Sequence, residues 1–305
     1  MAREDLRSLL GLPLFKLISY ANTIRKEYIG TNLELCSIVN AKSGLCSQDC
    51  KFCAQSGHYS TGVTTYPLKK KEQMLEQARR AKEIGAERFD IVTSGKRLSK
   101  EELNIVADSI FEITKKIGIK MCASLGSIDE ESLSLLKKAG LSRYHHNIET
   151  SPRYFPNIVT THTLADKIRT IKLAKKVGLE VCSGGIIGMG ETQEDRIQMA
   201  LLLKELDVDS VPINILVPIK GTPLENRQAI SCGEAIRTIA LFRIVLKDKI
   251  IKIAAGRESI LKDFQAMAFM AGANGMLIGG YLTIKGSDIE EDRRLVKEIK
   301  KLWQR

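Results

Sequence analysis

The sequence has few aromatic residues, no long apolar run and no apolar signal-peptide core. Aromatic residues make up 5% of its 305 residues, and there is one Trp. No apolar run approaches the roughly 18 residues that a membrane span needs. The first ten residues, M-A-R-E-D-L-R-S-L-L, contain no apolar signal-peptide core. We therefore expect a cytoplasmic protein with no membrane contact.

Charge is plentiful, and the formal net charge is +11. Such an excess can indicate a nucleic-acid partner, but the basic residues are scattered over helical stretches such as 69–71 and 172–176, with few aromatic side chains to stack on bases. A solvated helix surface is the better interpretation, and we expect no nucleic-acid partner. The positive charge can still steer an acidic protein towards the surface.

Apolar runs of strand length alternate with amphipathic helical stretches at intervals of about 30 to 40 residues. The predicted strands are 33–39, 88–93, 119–123, 143–148, 179–184, 210–215, 250–255 and 275–278. The predicted helices between them are 71–84, 99–116, 129–138, 161–176, 192–205, 233–246 and 258–270. Strict alternation of eight units predicts an α/β fold, a closed (β/α)8 barrel of the TIM type. We expect one domain, with an N-terminal helical cap (1–30, helix 4–28), the barrel (31–285) and a C-terminal helix (286–305, helix 287–303).

Cysteine occurs seven times, an odd number that argues against a disulfide framework and favours metal ligation in a reducing compartment. Three cysteines, Cys46, Cys50 and Cys53, lie in the loop K-S-G-L-C-S-Q-D-C-K-F-C-A-Q-S. A zinc site would normally need four ligands, often as two C-x2-C pairs. Three thiolates at this spacing instead fit three corners of a [4Fe–4S] cluster and leave one iron open.

An open iron of this kind can bind S-adenosylmethionine and reduce it to a 5′-deoxyadenosyl radical. The cysteine loop resembles the radical S-adenosylmethionine superfamily, and its flanks, K-S-G and A-Q-S, resemble the biotin synthase family in particular. The resemblance extends over essentially the whole chain. It implies the barrel fold, the [4Fe–4S] cluster and S-adenosylmethionine as cofactors.

The resemblance also implies residues that bind S-adenosylmethionine. The run Gly184-x-Ile186-x-Gly188-x-x-Glu191 is similar to a superfamily segment that backs the adenine, where glycines let the backbone approach a flat ligand. Phe52, between the second and third cysteines, either presents an aromatic edge to the adenine or packs under the loop.

Further cofactor contacts lie at the end of the fourth predicted strand, in Y-H-H-N-I-E-T-S, and in the helix after it. Period-two alternation places Asn147 and Glu149 on one face, where they can hold a ribose diol; the family usually has Asp in place of Glu149. Lys167 stands where the family has an arginine for the methionine carboxylate, and it supplies a point charge instead of a bidentate fork.

A second, auxiliary cluster is implied as the sulfur donor. The family holds it with three cysteines and an arginine, and here Cys122, Cys182 and Arg257 match all but one cysteine. That third position falls on Asp90. Three interpretations stay open: Asp90 is a ligand, another cysteine substitutes, or the cluster is absent.

Cys36 and Cys232 are the remaining candidates for the missing ligand. In a closed barrel, the first strand neighbours the second and the eighth, so Cys36 can face the same cavity as Cys122. We hypothesise an auxiliary cluster held by Cys36, Cys122, Cys182 and Arg257, either [2Fe–2S] or larger. The alternative is that Cys36 is merely a small buried hydrophobe. Cys232 is interpreted as an ordinary surface thiol.

The implied substrate residues are Asn147, Asn214 in V-P-I-N-I-L, and Thr283 in Y-L-T-I. The resemblance implies an enzyme that converts dethiobiotin to biotin by radical sulfur insertion, with reduced ferredoxin or flavodoxin as electron donor and a homodimeric state. Two alternatives remain. One is a related enzyme for rearrangement or metallocofactor maturation without a sulfur-donor cluster, and the other is a non-catalytic iron–sulfur scaffold.

Overall fold

A computed structural model describes residues 8–282 and 286–304, and its centre is a closed barrel of parallel strands. The strand order is β5-β4-β3-β2-β1-β9-β8-β7-β6, and a further pairing of β5 with β7 closes the sheet. The strands are β1 (Glu34–Lys42), β2 (Arg88–Thr93), β3 (Lys120–Ser124), β4 (Leu141–His145), β5 (Glu180–Cys182), β6 (Gly185–Ile187), β7 (Ser210–Ile215), β8 (Ile250–Ile253) and β9 (Gly275–Leu277).

The fifth position of the barrel is shared by β5 and β6, which are separated by Ser183 and Gly184. A Cβ atom on Gly184 would collide with the carbonyl oxygen of Pro212 in β7. The backbone therefore approaches its neighbour so closely there that only glycine fits. With β5 and β6 counted as one position, the predicted eight-stranded (β/α)8 barrel is confirmed.

Helices surround the barrel in the predicted order. They are α1 (Leu14–Tyr28), α2 (Lys71–Glu83), α3 (Lys100–Lys116), α4 (Glu130–Lys138), α5 (Leu164–Lys176), α6 (Gln193–Glu205), α7 (Cys232–Leu246), α8 (Arg257–Ile260), α9 (Gln265–Met270) and α10 (Ile289–Trp303). No helix in the described residues is long and apolar enough to cross a membrane.

Several predicted boundaries are wrong. The helix predicted for 4–28 is interrupted at 11–13, where Pro13 provides the N-cap of α1. The helix predicted for 258–270 is divided into α8, a 3-10 turn (Lys262–Phe264) and α9. The strand predicted for 143–148 is observed as Leu141–His145, and the chain adopts a positive φ of +69° further on, at Glu149.

Charged side chains fill the amino-terminal end of the barrel interior, which we call the barrel floor: Glu34, Arg88, Arg143 and Glu180. Their ion pairs connect strands β1, β2, β4 and β5 across the interior. Each floor residue lies two positions before another inward-facing residue on its strand, because strand side chains alternate. The next layer contains Cys36, Asp90, His145 and Cys182, which line the cavity above the floor.

Candidate active site

A cavity of about 400 Å³ opens at the carboxyl ends of the strands, where active sites of such barrels lie. Its walls bring together three groups of residues predicted from sequence. One group is the cysteine loop, the second is the turn after β4 with the start of β6, and the third is the layer of thiols above the barrel floor. Sequence motifs that lie far apart, from Cys36 to Ile186, thus share one space.

The cysteine loop follows β1 and is held in place mainly by backbone hydrogen bonds. Cys46 N donates to Gln55 O at 3.0 Å, and Gly57 N donates to Cys46 O at 2.7 Å. Cys53 N donates to Cys50 O at 3.0 Å, which fixes the turn between the second and third thiols. The loop is therefore ordered by contacts that do not use the sulfur atoms, and the thiols remain available as ligands.

Burial strongly affects the loop thiols. Desolvation raises the pKa of Cys53 to about 11 and that of Cys50 still further above its ordinary value. Backbone N–H groups of Gln55 and Ser56 offset part of this effect at Cys53. Cys50 and Cys53 are only partly exposed, and with pKa values raised in this way they need a metal to become thiolates at neutral pH.

The positions of the three loop thiols are compatible with an iron–sulfur cluster. Cys46, Cys50 and Cys53 all line the cavity. Among the residues that the structure describes, no three His, Cys, Asp or Glu side chains already converge on one ion. In a cluster each thiolate binds a different iron, so convergence on one point is not required.

The glycine-rich segment after β5 is organised by Glu191. Its carboxylate accepts hydrogen bonds from the backbone N–H groups of Gly188, Met189 and Gly190 at 2.7–3.0 Å. It also pairs with buried Arg196, whose Nε lies 2.7 Å away. Glu191 therefore shapes the turn from behind and does not line the cavity, whereas Ile186 does.

Asn147, Glu149 and Lys167 all line the cavity, as predicted for cofactor contacts. Lys167 Nζ lies 3.5 Å from Glu149 Oε1. Asn147 Oδ1 accepts a hydrogen bond from Gly184 N at 3.0 Å, so this side chain also fixes the break between β5 and β6. Phe52 lines the cavity and packs on the apolar cluster that includes Phe155 and Met189, and its contact with the adenine stays a prediction.

The three interior thiols, Cys36, Cys122 and Cys182, are buried and line the same cavity. Cys36 and Cys122 share a hydrogen bond, which lowers the pKa of the former and raises that of the latter. Burial opposes ionisation of Cys182, but His145, Lys252 and Arg143 outweigh it and lower the pKa of this thiol to about 7. The geometry thus brings Cys36 together with the two thiols that sequence matching selected.

Asp90 is the register partner of Cys122 on the neighbouring strand. Burial raises the pKa of its carboxyl, and its Oδ1 atom has no hydrogen-bond partner among residues 8–282 and 286–304. A buried acceptor without a partner is costly. Together with three thiols, this oxygen makes a donor set that fits an iron–sulfur group.

Arg257 is not placed with these thiols and does not line the cavity. It begins α8 after Gly256, and its guanidinium contacts Asp292 of α10 at 2.7 Å and the hydroxyl of Tyr281 at 3.0 Å. Lys252, which sequence reasoning missed, is a cation that lines the cavity together with the thiols. A lysine inside the apolar run I-I-K-I-A-A was the available signal, since alternation along β8 directs it inwards.

Comparison with known proteins shows which family the chain belongs to. Residues 42–203 match the Radical SAM superfamily, and residues 212–300 match the Biotin and Thiamin Synthesis associated domain. Biotin synthase of Thermotoga neapolitana is 58% identical over 273 residues, covering 89% of this chain and 98% of the relative. Biotin synthase of Thermotoga petrophila is 54% identical over 300 residues, covering 98% and 99% respectively.

The chain belongs to the biotin synthase family. It is therefore a radical S-adenosylmethionine enzyme, and the family implies a [4Fe–4S] cluster and S-adenosylmethionine as cofactors. Among solved structures, methylornithine synthase superposes with a TM-score of 0.85 at 21% identity, covering 98% of this chain and 92% of the other. A maturase of the [FeFe]-hydrogenase superposes with a TM-score of 0.82 at 16% identity, covering 98% of this chain and 71% of the maturase. At these identities the superpositions support the fold alone.

Within this biotin synthase family member, the predicted substrate residues differ in their placement. Asn214 lines the cavity, but its amide already donates to Gly185 O and accepts from Ala255 N, both at 3.2 Å. Thr283 lies outside the described residues. His145, missed from sequence, faces the cavity and has its pKa raised to about 9, because Cys182 outweighs the effect of burial. Cys232 begins α7, away from the cavity lining.

Proposed function

We propose that this chain converts dethiobiotin to biotin by radical sulfur insertion, with an auxiliary iron–sulfur cluster as the sulfur donor. The observation that carries the proposal is the presence of two sets of three cysteines in the lining of one cavity. When bound, the first cluster and S-adenosylmethionine supply a radical able to remove hydrogen from unactivated carbon. The second set of thiols lies deeper in the same cavity, so substrate held between them meets both.

In the proposed arrangement the protein residues bind and position. Cys46, Cys50 and Cys53 hold the first cluster. Glu149 and Lys167 present an acceptor and a cation to the polar groups of S-adenosylmethionine. Ile186 and Phe52 supply apolar surface that excludes water from the reacting groups.

The second cluster is proposed to bind Cys36, Cys122 and Cys182, with Asp90 as the candidate fourth ligand in place of Arg257. The unpartnered Asp90 oxygen supports this assignment. A larger cluster than [2Fe–2S] is compatible with the changed ligand set. Reduced ferredoxin or flavodoxin is the proposed electron donor, favoured by the net charge of +11, and a homodimer is the proposed state.

The decisive experiment is an anaerobic assay of biotin formation from dethiobiotin, with S-adenosylmethionine and reduced flavodoxin. We expect biotin and 5′-deoxyadenosine from the wild-type chain and neither from Cys46→Ala. Cys232→Ala is the matched control and should retain both activities. Formation of 5′-deoxyadenosine without biotin would favour the alternative enzyme without a sulfur-donor cluster, for which the absence of cysteine at position 90 is the supporting observation. Absence of both products would favour a scaffold.

A further inference from the structure

The carboxylate of Glu34 is surrounded by three cations inside the barrel. Its Oε1 atom lies 2.7 Å from Arg143 Nη1 and 2.7 Å from Lys252 Nζ, and its Oε2 atom lies 2.7 Å from Arg88 Nε. All four residues are buried. One carboxylate balances only one of these three positive charges.

Glu180 supplies a second negative charge, which contacts Arg88 and Arg143 at 2.8 Å. However, 43% of the Glu180 side chain is exposed, so water screens this charge more than it screens the buried cations. Three buried cations therefore face one buried and one partly exposed carboxylate. The barrel floor and Lys252 together carry an excess of positive charge, and such an excess is costly in a protein interior unless an anionic group lies close by.

The excess charge lies directly beneath the interior thiols. Glu34 is two positions before Cys36 on β1, and Arg143 is two positions before His145 on β4. Lys252 lines the cavity together with the thiols, while its ammonium reaches down to Glu34. A protonated lysine has three donors and no lone pair, so in this position Lys252 acts as a cation and not as a metal ligand.

We propose that Glu34 and Lys252 form a positioning pair, in which Glu34 holds the Lys252 ammonium below the interior thiols as a fixed counter-charge for an anionic iron–sulfur group. This inference rests on the proposed function, because it presupposes the auxiliary cluster. The pair sets the charge around that cluster, and charge is one of the properties that determine cluster reduction potentials. A positive neighbour favours the reduced, more negative cluster and raises its potential.

The test is an anaerobic redox titration, followed by electron paramagnetic resonance, of the reconstituted full chain and three variants. Lys252→Met removes a positive charge and should lower the potential of the second cluster. Glu34→Gln removes a negative charge and should raise it, whereas Lys252→Arg keeps the charge and should leave it close to the wild-type value. The first cluster, held by the cysteine loop, serves as an internal reference and should not shift.

Opposite shifts of the second-cluster potential in Lys252→Met and Glu34→Gln support the pair, since structural damage alone would not shift the potential up in one variant and down in the other. Loss of second-cluster iron and sulfide in Lys252→Met, with retention in Lys252→Arg, supports it as well. Shifts of one sign, no shift, or equal iron loss in both Lys252 variants would overturn the inference. If the wild-type chain binds only one cluster, it is the proposed function that fails, and the two failures are distinguishable.

Discussion

Asp49 and Thr161 are 112 residues apart in sequence and bind each other reciprocally. Thr161 donates from N at 3.1 Å and from Oγ1 at 2.8 Å to Asp49 Oδ1, while Asp49 N donates to Thr161 Oγ1 at 3.2 Å. Thr160 adds further hydrogen bonds to the same carboxylate. Burial raises the pKa of Asp49, but the hydrogen bonds from Thr160 and Thr161 together outweigh burial and hold this pKa below its ordinary value. The cysteine loop is thus tied to the segment that precedes α5.

We predict that Asp49→Ala loosens the cysteine loop and accelerates loss of the first cluster. A hydrogen bond to a charged group contributes roughly 1.5–3 kcal/mol, and less where water screens the charge. Because Asp49→Ala removes several such bonds, release of iron should be at least about tenfold faster. The measurement is iron release to a chelator under anaerobic conditions. Asp108→Ala, on the exposed side of α3, is the matched control and should match the wild type. An unchanged release rate for Asp49→Ala would contradict the prediction.

Cys36→Ala should remove the second cluster and leave the first intact. Cys36 is buried beside Cys122, so it is placed as a ligand and not as a surface thiol. We expect iron and sulfide to fall to the content of one cluster, biotin formation to be lost and cleavage of S-adenosylmethionine to persist. Cys232→Ala should show the full content. Unchanged second-cluster iron in Cys36→Ala would show that Cys36 is only a small hydrophobe.

Sequence reasoning predicted the barrel and the cysteine loop because both depend on local patterns. Alternation of strands and helices determines the first, and the spacing of Cys46, Cys50 and Cys53 determines the second. The close approach of Gly184 to Pro212 on another strand was not predictable from propensity, since it is a contact between segments distant in sequence. Tertiary contact overrides local preference at such positions.

Residues of the deeper site were predicted less completely. Cys36, Cys122 and Cys182 line one cavity, and their role as ligands stays a prediction. Arg257, the fourth predicted ligand, does not line that cavity, and its guanidinium pairs with Asp292. Periodicity along β8 would have indicated Lys252 instead. The ion pairs of Glu34 with Arg88 and Arg143 connect strands across the barrel, and no local pattern in the sequence reports such contacts.

Lys167 and Glu149 lead to a prediction about cofactor affinity. Lys167→Met removes the cation expected to meet the carboxylate of S-adenosylmethionine, and it leaves the half-buried Glu149 charge without its partner at 3.5 Å. Loss of one charge-assisted hydrogen bond costs about 1.5–3 kcal/mol, or roughly 10- to 150-fold in the dissociation constant. Equilibrium binding to the reconstituted enzyme measures the effect. Lys167→Arg should bind within a few-fold of the wild type, and equal weakening by both substitutions would exclude a role for charge.

The carboxyl of Asp195 leads to a prediction about acid stability. Burial opposes its charged form, but hydrogen bonds from Arg153, Thr192 and Ser151 outweigh burial and hold its pKa below the ordinary value. Since the unfolded pKa is about 3.9, the stabilisation is complete above that pH and is lost as pH falls below it. Asp195→Asn should therefore lower the unfolding free energy by about 1–3 kcal/mol at pH 7.

Urea unfolding of the wild type and Asp195→Asn over a range of acidic pH measures this difference. The two stabilities should converge as the pH falls below about 3.9, because protonation removes the same interaction that the substitution removes. Glu76→Gln, on the exposed side of α2, is the control, and its stability should follow the wild type throughout. A difference independent of pH would show that the Asp195 charge is not responsible.

Arg257 is predicted to stabilise the fold without binding iron. Its side chain is 1% exposed and pairs with Asp292 at 2.7 Å, which connects the start of α8 to α10. Arg257→Met leaves a buried carboxylate without its partner, and breaking such a pair costs about 3–5 kcal/mol. Differential scanning calorimetry should therefore show a lower Tm. The double variant Arg257→Met with Asp292→Leu should recover much of this loss, since replacing both charges by apolar groups leaves no unpaired buried charge.

Iron and sulfide content of the folded variants should equal that of the wild type at temperatures below their transitions. Loss of second-cluster iron alone in Arg257→Met, with the Tm unchanged, would instead restore Arg257 as a ligand and contradict its placement beside Asp292.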